Sequence, residues 1–306
     1  MSPSSTSWLS PVWPYRYTSP TPEQLRERRE LLTLRGEYAQ LSTLILILMF
    51  SVHRFAASRG KGKGKGKGKG AKGPLTLSLS AWLDSPLMRG GAETRGQYLV
   101  ATVWMVWLLG LSAWRTGDDY LHLTKSLAYT VLATIPFNLL LSPKLSPTTH
   151  PFNLICSHLL HLPQAHLTPY HRLFGRLVIP TLVSLHSFLY ILFFVQNGLL
   201  EKRLNDADVQ LGVVGFWVLA GLWGTSGWTR GRGNSTSRLK SGSMSKRTAY
   251  VIHVGLVMVL LGMAYFHVEY ARRFVVQALV IYGVDVGSWV VKRIFRAGTG
   301  VSETLR

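Results

Sequence analysis

Seven long apolar segments, separated by polar and mostly basic stretches, constrain this chain more than any other feature of its sequence. A helix that crosses the hydrocarbon core of a membrane needs about 20 predominantly apolar residues. The segments approach that length, and they lack the polar face that a surface helix of a soluble protein shows. They predict an all-α membrane protein, a bundle of about seven transmembrane helices. The segments are residues 39–57, 98–114, 121–141, 177–195, 211–228, 250–268 and 274–291.

The charge of the chain supports this interpretation. Charged residues make up 16% of the 306 residues, whereas about 25% is usual in a soluble domain. The net charge of +20 is concentrated between the apolar segments rather than spread over one basic face, so we expect membrane lipid and no nucleic acid as a partner. The single cysteine, Cys156, excludes an intramolecular disulfide and a cysteine-rich metal or iron–sulfur site.

The remaining sequence divides into three parts. Residues 1–38 are predicted to be an extended Pro- and aromatic-rich stretch followed by a charged helix, without the pattern of a signal peptide. Residues 58–97 form a basic Gly/Lys-rich linker that cannot build a core. Its match to G-x-G-x-x-G neither follows a strand nor opens a helix, so it predicts no dinucleotide site. Residues 297–306 are expected to be a short cytoplasmic tail.

Loop charge predicts the orientation of the bundle. Lys and Arg are more frequent in the loops that follow the first, third, fifth and seventh segments than in the others. Since cytoplasmic loops carry the excess of basic residues, these loops are predicted to face the cytoplasm. We call this side the inner end and the opposite side the outer end. The protein is expected to be a multi-pass protein of the plasma membrane or an endomembrane.

Four of the ten histidines form two matched pairs along apolar helices. His171 and His186 are fifteen residues apart, and His253 and His267 are fourteen apart. At 100° per residue, each helix presents both of its histidines on roughly one face, separated by about 21 Å along the axis. Ionisable residues inside membrane helices usually have a function.

The two helices are two segments apart and therefore run in the same direction. His171 is then level with His253 at the inner end, and His186 is level with His267 at the outer end. Two levels of facing imidazoles are what two stacked b-type haems require, each iron taking one nitrogen from each helix. The four histidines are thus candidate metal ligands around a bis-haem core. Because His171 and His186 are one residue further apart, we expect a local π-bulge beside Pro180 to absorb the extra residue.

The region from about Lys125 to Arg296 resembles the ferric reductase-like transmembrane domain shared by fungal ferric-chelate reductases and NADPH oxidases. The resemblance implies that residues 121–296 form a haem-binding domain of five spans, in which the four histidines hold two haems. It is carried by the segment HRLFGRL from His171, by His186, by YVIH ending at His253, by YFH ending at His267, and by Asp285 with Lys292 and Arg293.

Several basic side chains lie close to these histidines in sequence. Arg172 and Arg176 are expected either to bind the propionates of the inner haem or to reach lipid headgroups. Arg272 and Arg273 offer positive charge to the outer haem or to anionic iron chelates. Family members with full activity continue into a flavin- and NADPH-binding module, and fifteen residues after position 291 are too few for one. FAD and NADPH are therefore expected only if a further domain or a flavoprotein partner supplies their sites.

Three functions remain open at this stage. The first is transmembrane electron transfer in a metalloreductase-like component that reduces ferric chelates at the outer end. The second is an NADPH oxidase-like component that makes superoxide from oxygen with the same haems. The third is a non-enzymatic haem-binding membrane subunit that needs a separate flavoprotein. Whether the chain alone is an enzyme is not decided by these patterns.

Overall fold

The computed structural model describes residues 15–62, 79, 81–88, 92–146, 150–159, 162–228 and 246–298, and within these ranges the chain is helical with no named strand. Short helices lie at Pro151–Leu154, Ile155–Leu159, Leu200–Leu204 and Glu269–Ala271. The seven long helices of the described residues are α1 (Pro22–Gly62), α2 (Arg95–Ala113), α3 (Tyr120–Leu141), α4 (Gln164–Gln196), α5 (Ala207–Trp228), α6 (Lys246–His267) and α7 (Arg272–Gly298).

Six of these helices are long and apolar enough to cross a membrane, namely all except α3. The protein is therefore an integral, multi-pass membrane protein. The predicted segment 121–141 does form a helix, but His122, Lys125 and Asn138 reduce its apolar character. A count of seven spans thus stays a prediction.

Helix α3 lies at the centre of the bundle. It packs against α1, α2, α4 and α7. Its buried residues are distributed around the helix and include threonine and serine as well as leucine and valine. Gly36 brings α1 close to it, since a Cβ at this position would lie 2.9 Å from Cε1 of Tyr129 on α3 and 2.6 Å from Cζ of Phe274 on α7. Most of the polar side chains of α3, among them His122, Thr124 and Ser126, are therefore covered by protein, whereas Lys125 is exposed.

The apolar side chains form two clusters. The larger one joins α1 to α5, with Leu108, Leu127 and Leu182 among its buried members. The smaller one is centred on Leu261 of α6 and on Val275 and Ala278 of α7. Helix α6 packs mainly against its neighbours α5 and α7, and α4–α6 is not among the well-packed helix pairs of the described residues. The two histidine-bearing helices therefore belong to different parts of the core.

Helix α4 is interrupted by one π-helical turn at Phe174–Val178. This turn lies immediately before Pro180, which has no backbone N–H to donate to the helix. A π turn closes its hydrogen bond one residue later than an α turn and so takes up an additional residue. The predicted π-bulge between His171 and His186 is confirmed.

The ends of the chain differ in detail from the predicted boundaries. The charged N-terminal helix and the first apolar segment form one continuous helix, α1, and its candidate span is Pro22–Val52 rather than 39–57. Helix α2 begins at Arg95, where Thr94 and Gln97 form a capping box. Most of the Gly/Lys tract (63–73), the N-terminal stretch 1–14 and the end of the tail (299–306) lie outside the described residues.

Candidate haem-binding site

The structure places the four paired histidines at two levels of the bundle. His171 and His186 project from α4, His253 and His267 project from α6, and all four side chains are half-buried. His171 lies next to Asn138 near the inner end of α3, and His186 lies next to Thr124 near its outer end. The pairing of these two residues with His253 and His267, and the role of all four as ligands, stay predictions.

Three of the four imidazoles are oriented by the backbone. Nδ1 of His171 lies 2.9 Å from the carbonyl oxygen of Asn138. Nδ1 of His186 lies 2.8 Å from the carbonyl oxygen of Thr124, and Nδ1 of His267 lies 2.5 Å from that of Asp208. A carbonyl oxygen only accepts hydrogen bonds, so Nδ1 must carry the hydrogen and Nε2 of the neutral ring has a lone pair.

This arrangement fits a b-type haem. Histidines that bind metals usually donate their other ring N–H to a carbonyl or carboxylate, which sets both the tautomer and the ring orientation. Within the described residues no group of three or more His, Cys, Asp or Glu side chains could hold a metal ion. A haem iron takes two ligands from the protein at most, so a bis-histidine haem needs no larger cluster.

Helix α3 sets the spacing of the two levels on the α4 side. Its acceptors, Thr124 and Asn138, are fourteen residues apart, the same separation as His253 and His267 on α6. The carbonyl of Asn138 is accessible at the end of α3, since the N–H of Ser142 donates to Leu139 instead. Because the π turn takes up one additional residue, the fifteen residues from His171 to His186 on α4 match the fourteen residues from Thr124 to Asn138 on α3.

The two arginines predicted to face the inner haem lie beside a buried carboxylate. Nε of Arg172 is 3.0 Å and Nη1 of Arg176 is 3.6 Å from Oε1 of Glu93. The Glu93 side chain is 1% exposed, whereas those of Arg172 and Arg176 are 37% and 18% exposed. Two guanidinium groups and one carboxylate leave one positive charge in excess at the inner end.

A second group of buried polar residues lies in the loop after α3, also at the inner end. Asp285 of α7 accepts a hydrogen bond from the backbone N–H of Leu145 at 3.1 Å, and Nζ of Lys144 donates to the carbonyl of Leu139 at 2.7 Å. Burial lowers the pKa of Lys144 to about 8, although the nearby Asp285 opposes this shift. Lys144 also acts electrostatically on His171. It is therefore a charge of the inner site that sequence reasoning missed.

The two basic residues predicted to serve the outer end, Arg272 and Arg273, have acidic partners. Arg272 pairs with Glu269 at 3.6 Å, and Arg273 pairs with Glu37 at 3.4 Å. Arg273 also lines a small cavity of about 130 Å³ at this end, together with Arg29, Leu32, Thr33, Tyr129 and Tyr270. The described lining thus includes two arginines and two tyrosines.

Sequence reasoning missed the groups that orient the histidines. Every residue has a backbone carbonyl, so the roles of Thr124, Asn138 and Asp208 have no signature in the sequence. Glu93 had a detectable signal, because it is an isolated acidic residue just before an apolar segment on the side of the membrane assigned to the two arginines.

A comparison with protein-family models supports the resemblance noted from the sequence. Residues 127–264 match the family described as "Ferric reductase like transmembrane component". The match covers a little under half of the chain, includes His171, His186 and His253, and ends three residues before His267. Searches among curated proteins and among solved structures found no match. The predicted resemblance to the ferric reductase-like transmembrane family is thus confirmed over residues 127–264.

Proposed function

We propose that this protein transfers electrons across a membrane through two b-type haems, as the membrane component of a ferric-chelate reductase. His171 and His253 are the proposed ligands of the inner haem, and His186 and His267 are those of the outer haem. The acceptor is reduced at the outer end. We include α3 as the seventh span, since it lies among α1, α2, α4 and α7 and most of its polar side chains are buried there.

The observation that carries this proposal is the set of hydrogen bonds from Nδ1 to backbone carbonyls. Three imidazoles, on two separate helices, leave Nε2 as the atom with a lone pair. A histidine that only packs in a helix interface can adopt either tautomer. A metal ligand must keep the tautomer in which the ligating nitrogen carries no hydrogen. The family match over residues 127–264 supports the same conclusion independently.

When bound, haem supplies reversible one-electron chemistry at its iron. The protein contributes ligands, distances and a dry environment. With one histidine from α4 and one from α6 holding each haem, the acceptor would receive its electron without binding to the iron. Arg172 and Arg176, which lie beside Glu93, are the proposed partners of one propionate at the inner end.

The cavity at the outer end favours an anionic acceptor such as a ferric chelate over oxygen. Arg29 and Arg273 line it, and of these two Arg273 is paired with Glu37. A cavity of about 130 Å³ admits one carboxylate arm of a chelate rather than the whole complex. Arg29→Gln is expected to raise KM for ferric citrate about threefold without changing haem content, whereas Arg26→Gln, on the same helix but outside the cavity, is the matched control. An equal change in both variants would remove the cavity from the proposal.

The electron donor is proposed to be a flavin- and NADPH-binding protein or module at the cytoplasmic side. Its site is expected near the inner haem, where the basic loops lie. This part of the proposal rests on the family resemblance.

The function is tested with the purified full chain, reconstituted with haem in detergent. We expect two haems per chain by the pyridine haemochromogen method and the low-spin optical spectrum of bis-histidine haem. In vesicles loaded with a membrane-impermeant reductant at the inner side, external ferric citrate should be reduced faster than oxygen. Absence of haem would leave only a structural membrane subunit, and faster reaction with oxygen would favour the oxidase-like function.

A further inference from the structure

Gly212, near the start of α5, lies directly against the imidazole of His267. A Cβ built at this position would be 2.9 Å from Cε1, 3.3 Å from Nε2 and 3.4 Å from Nδ1 of the ring. Carbon atoms that are not bonded pack at about 3.5–4.0 Å. The ring therefore occupies the space that any side chain other than hydrogen would fill.

The same ring is held by the backbone of the preceding turn. Asp208 is four residues before Gly212, and its carbonyl oxygen lies 2.5 Å from Nδ1 of His267. In an α-helix the carbonyl of one residue points toward the residue four positions later. The hydrogen bond to Asp208 thus draws the ring onto the surface over Gly212. A methyl group there would displace the ring and break this bond.

The other glycines of α5 do not have this role. A Cβ at Gly215 would lie 3.6 Å from Cβ of Met263, and one at Gly221 would lie 3.8 Å from Cδ1 of Leu256. Both distances are ordinary van der Waals contacts. Of the three glycines Gly212, Gly215 and Gly221 on the face of α5 toward α6, Gly212 alone leaves no room for a side chain.

We infer that Gly212 is a positioning residue for His267: its missing side chain and the carbonyl of Asp208 together orient the imidazole so that Nε2 can bind the outer haem. This inference rests on the proposed function, in which His267 is a ligand. It identifies the surface of α5 as the support of the outer site, in addition to the two histidine-bearing helices.

Gly212→Ala tests the inference, with Gly221→Ala as the matched control on the same helix interface. In the full chain reconstituted with haem, Gly212→Ala should reduce haem content from two toward one per chain. Any haem that remains at the outer site should lose the low-spin bis-histidine signature in its optical and electron paramagnetic resonance spectra. Gly221→Ala should keep both haems and both signatures.

His267→Ala separates failure of the inference from failure of the function. If His267→Ala keeps two haems, His267 is not a ligand and the proposed function is wrong at this residue. If His267→Ala loses one haem but Gly212→Ala retains two with unchanged spectra, the inference is overturned and the function stands.

A double variant covers the case in which Gly212→Ala does not insert or fold. Alanine at position 267 leaves room for a methyl group at position 212. The variant with both changes should therefore insert, and should melt no lower than His267→Ala alone. Equal damage by Gly212→Ala in both backgrounds would show that the glycine serves helix packing rather than the histidine.

Discussion

The outer and inner ends of the bundle hold their paired histidines in different ways. At the outer end both rings donate to backbone carbonyls, His186 to Thr124 and His267 to Asp208. At the inner end His171 donates to a carbonyl of α3, whereas His253 makes no such bond within the part of the chain that the structure describes.

The charged groups near the histidines also differ between the two ends. The inner histidines lie near Arg172, Arg176 and Lys144, with Glu93 and Asp285 as the opposing carboxylates. At the outer end Arg272 and Arg273 are 41% and 38% exposed and pair with Glu269 and Glu37. Both outer rings are thus held by the backbone, whereas the inner pair combines one backbone bond with nearby charges. This difference predicts different responses of the two ends to substitution.

The largest effect is expected from removal of one histidine at each end. His186→Ala should weaken the outer haem and His253→Ala the inner haem, so that haem content falls from two toward one per chain, because each proposed haem would keep only one of its two histidine ligands. Haem per chain and the optical spectrum measure this. His158→Ala, an exposed histidine outside the pairs, is the control. Two haems in His186→Ala would mean that the π turn does not bring this ring to the site.

Loss of the buried carboxylate should weaken the inner end. Glu93→Gln leaves two guanidinium groups without their counter-charge and is expected to lower stability by about 2 kcal/mol, less than for a fully buried pair because the arginines are partly solvated. Glu37→Gln breaks the exposed pair with Arg273 at the outer end and should cost about 0.5 kcal/mol. Thermal unfolding of both variants checks the contrast, which equal shifts would contradict.

Haem affinity should differ between the two ends. Ordering the ring of His253 on binding is expected to cost about 1 kcal/mol, which the outer rings do not require. The outer site, measured by haem titration of His253→Ala, should therefore bind roughly fivefold more tightly than the inner site, measured in His267→Ala. Tighter binding at the inner site would show that its charges outweigh the prearrangement of the outer rings.

The smallest effect is a pH dependence confined to the inner end. Lys144, with its pKa lowered to about 8, loses its positive charge as the pH rises from 7 to 9. Loss of a cation near His171 favours the oxidised iron, so the midpoint potential of the inner haem should fall by tens of millivolts. Redox titration should find this fall absent in Lys144→Gln and absent at the outer haem.

The neighbouring titratable groups do not produce the same signal. Burial lowers the pKa of His150 below its usual range, and burial raises that of Cys156 to about 11. Neither group therefore changes charge between pH 7 and 9. A fall of equal size in Lys144→Gln would show that another group is responsible.

Much of the architecture could be predicted because it follows from local patterns. Apolar length alone identified α2, α5, α6 and α7, and the fourteen-residue spacing of His253 and His267 placed both on one face of a regular helix. The π turn was also predictable, since a proline and one additional residue occurred in the same interval. The polar helix α3 was the weakest segment by composition, yet it lies at the centre of the bundle.

The sequence by itself determined the membrane-spanning class, the two histidine pairs and their separation, because these depend on residue type and helical period. The tertiary structure alone decided which backbone carbonyls orient the rings, that Glu93 lies beside Arg172 and Arg176, and that Gly212 makes room for His267. Every residue has the same backbone carbonyl, and the need for a glycine can be recognised only when the contact with the neighbouring helix is known. Those features depend on which helices are neighbours, and that is set by the packing of the whole bundle.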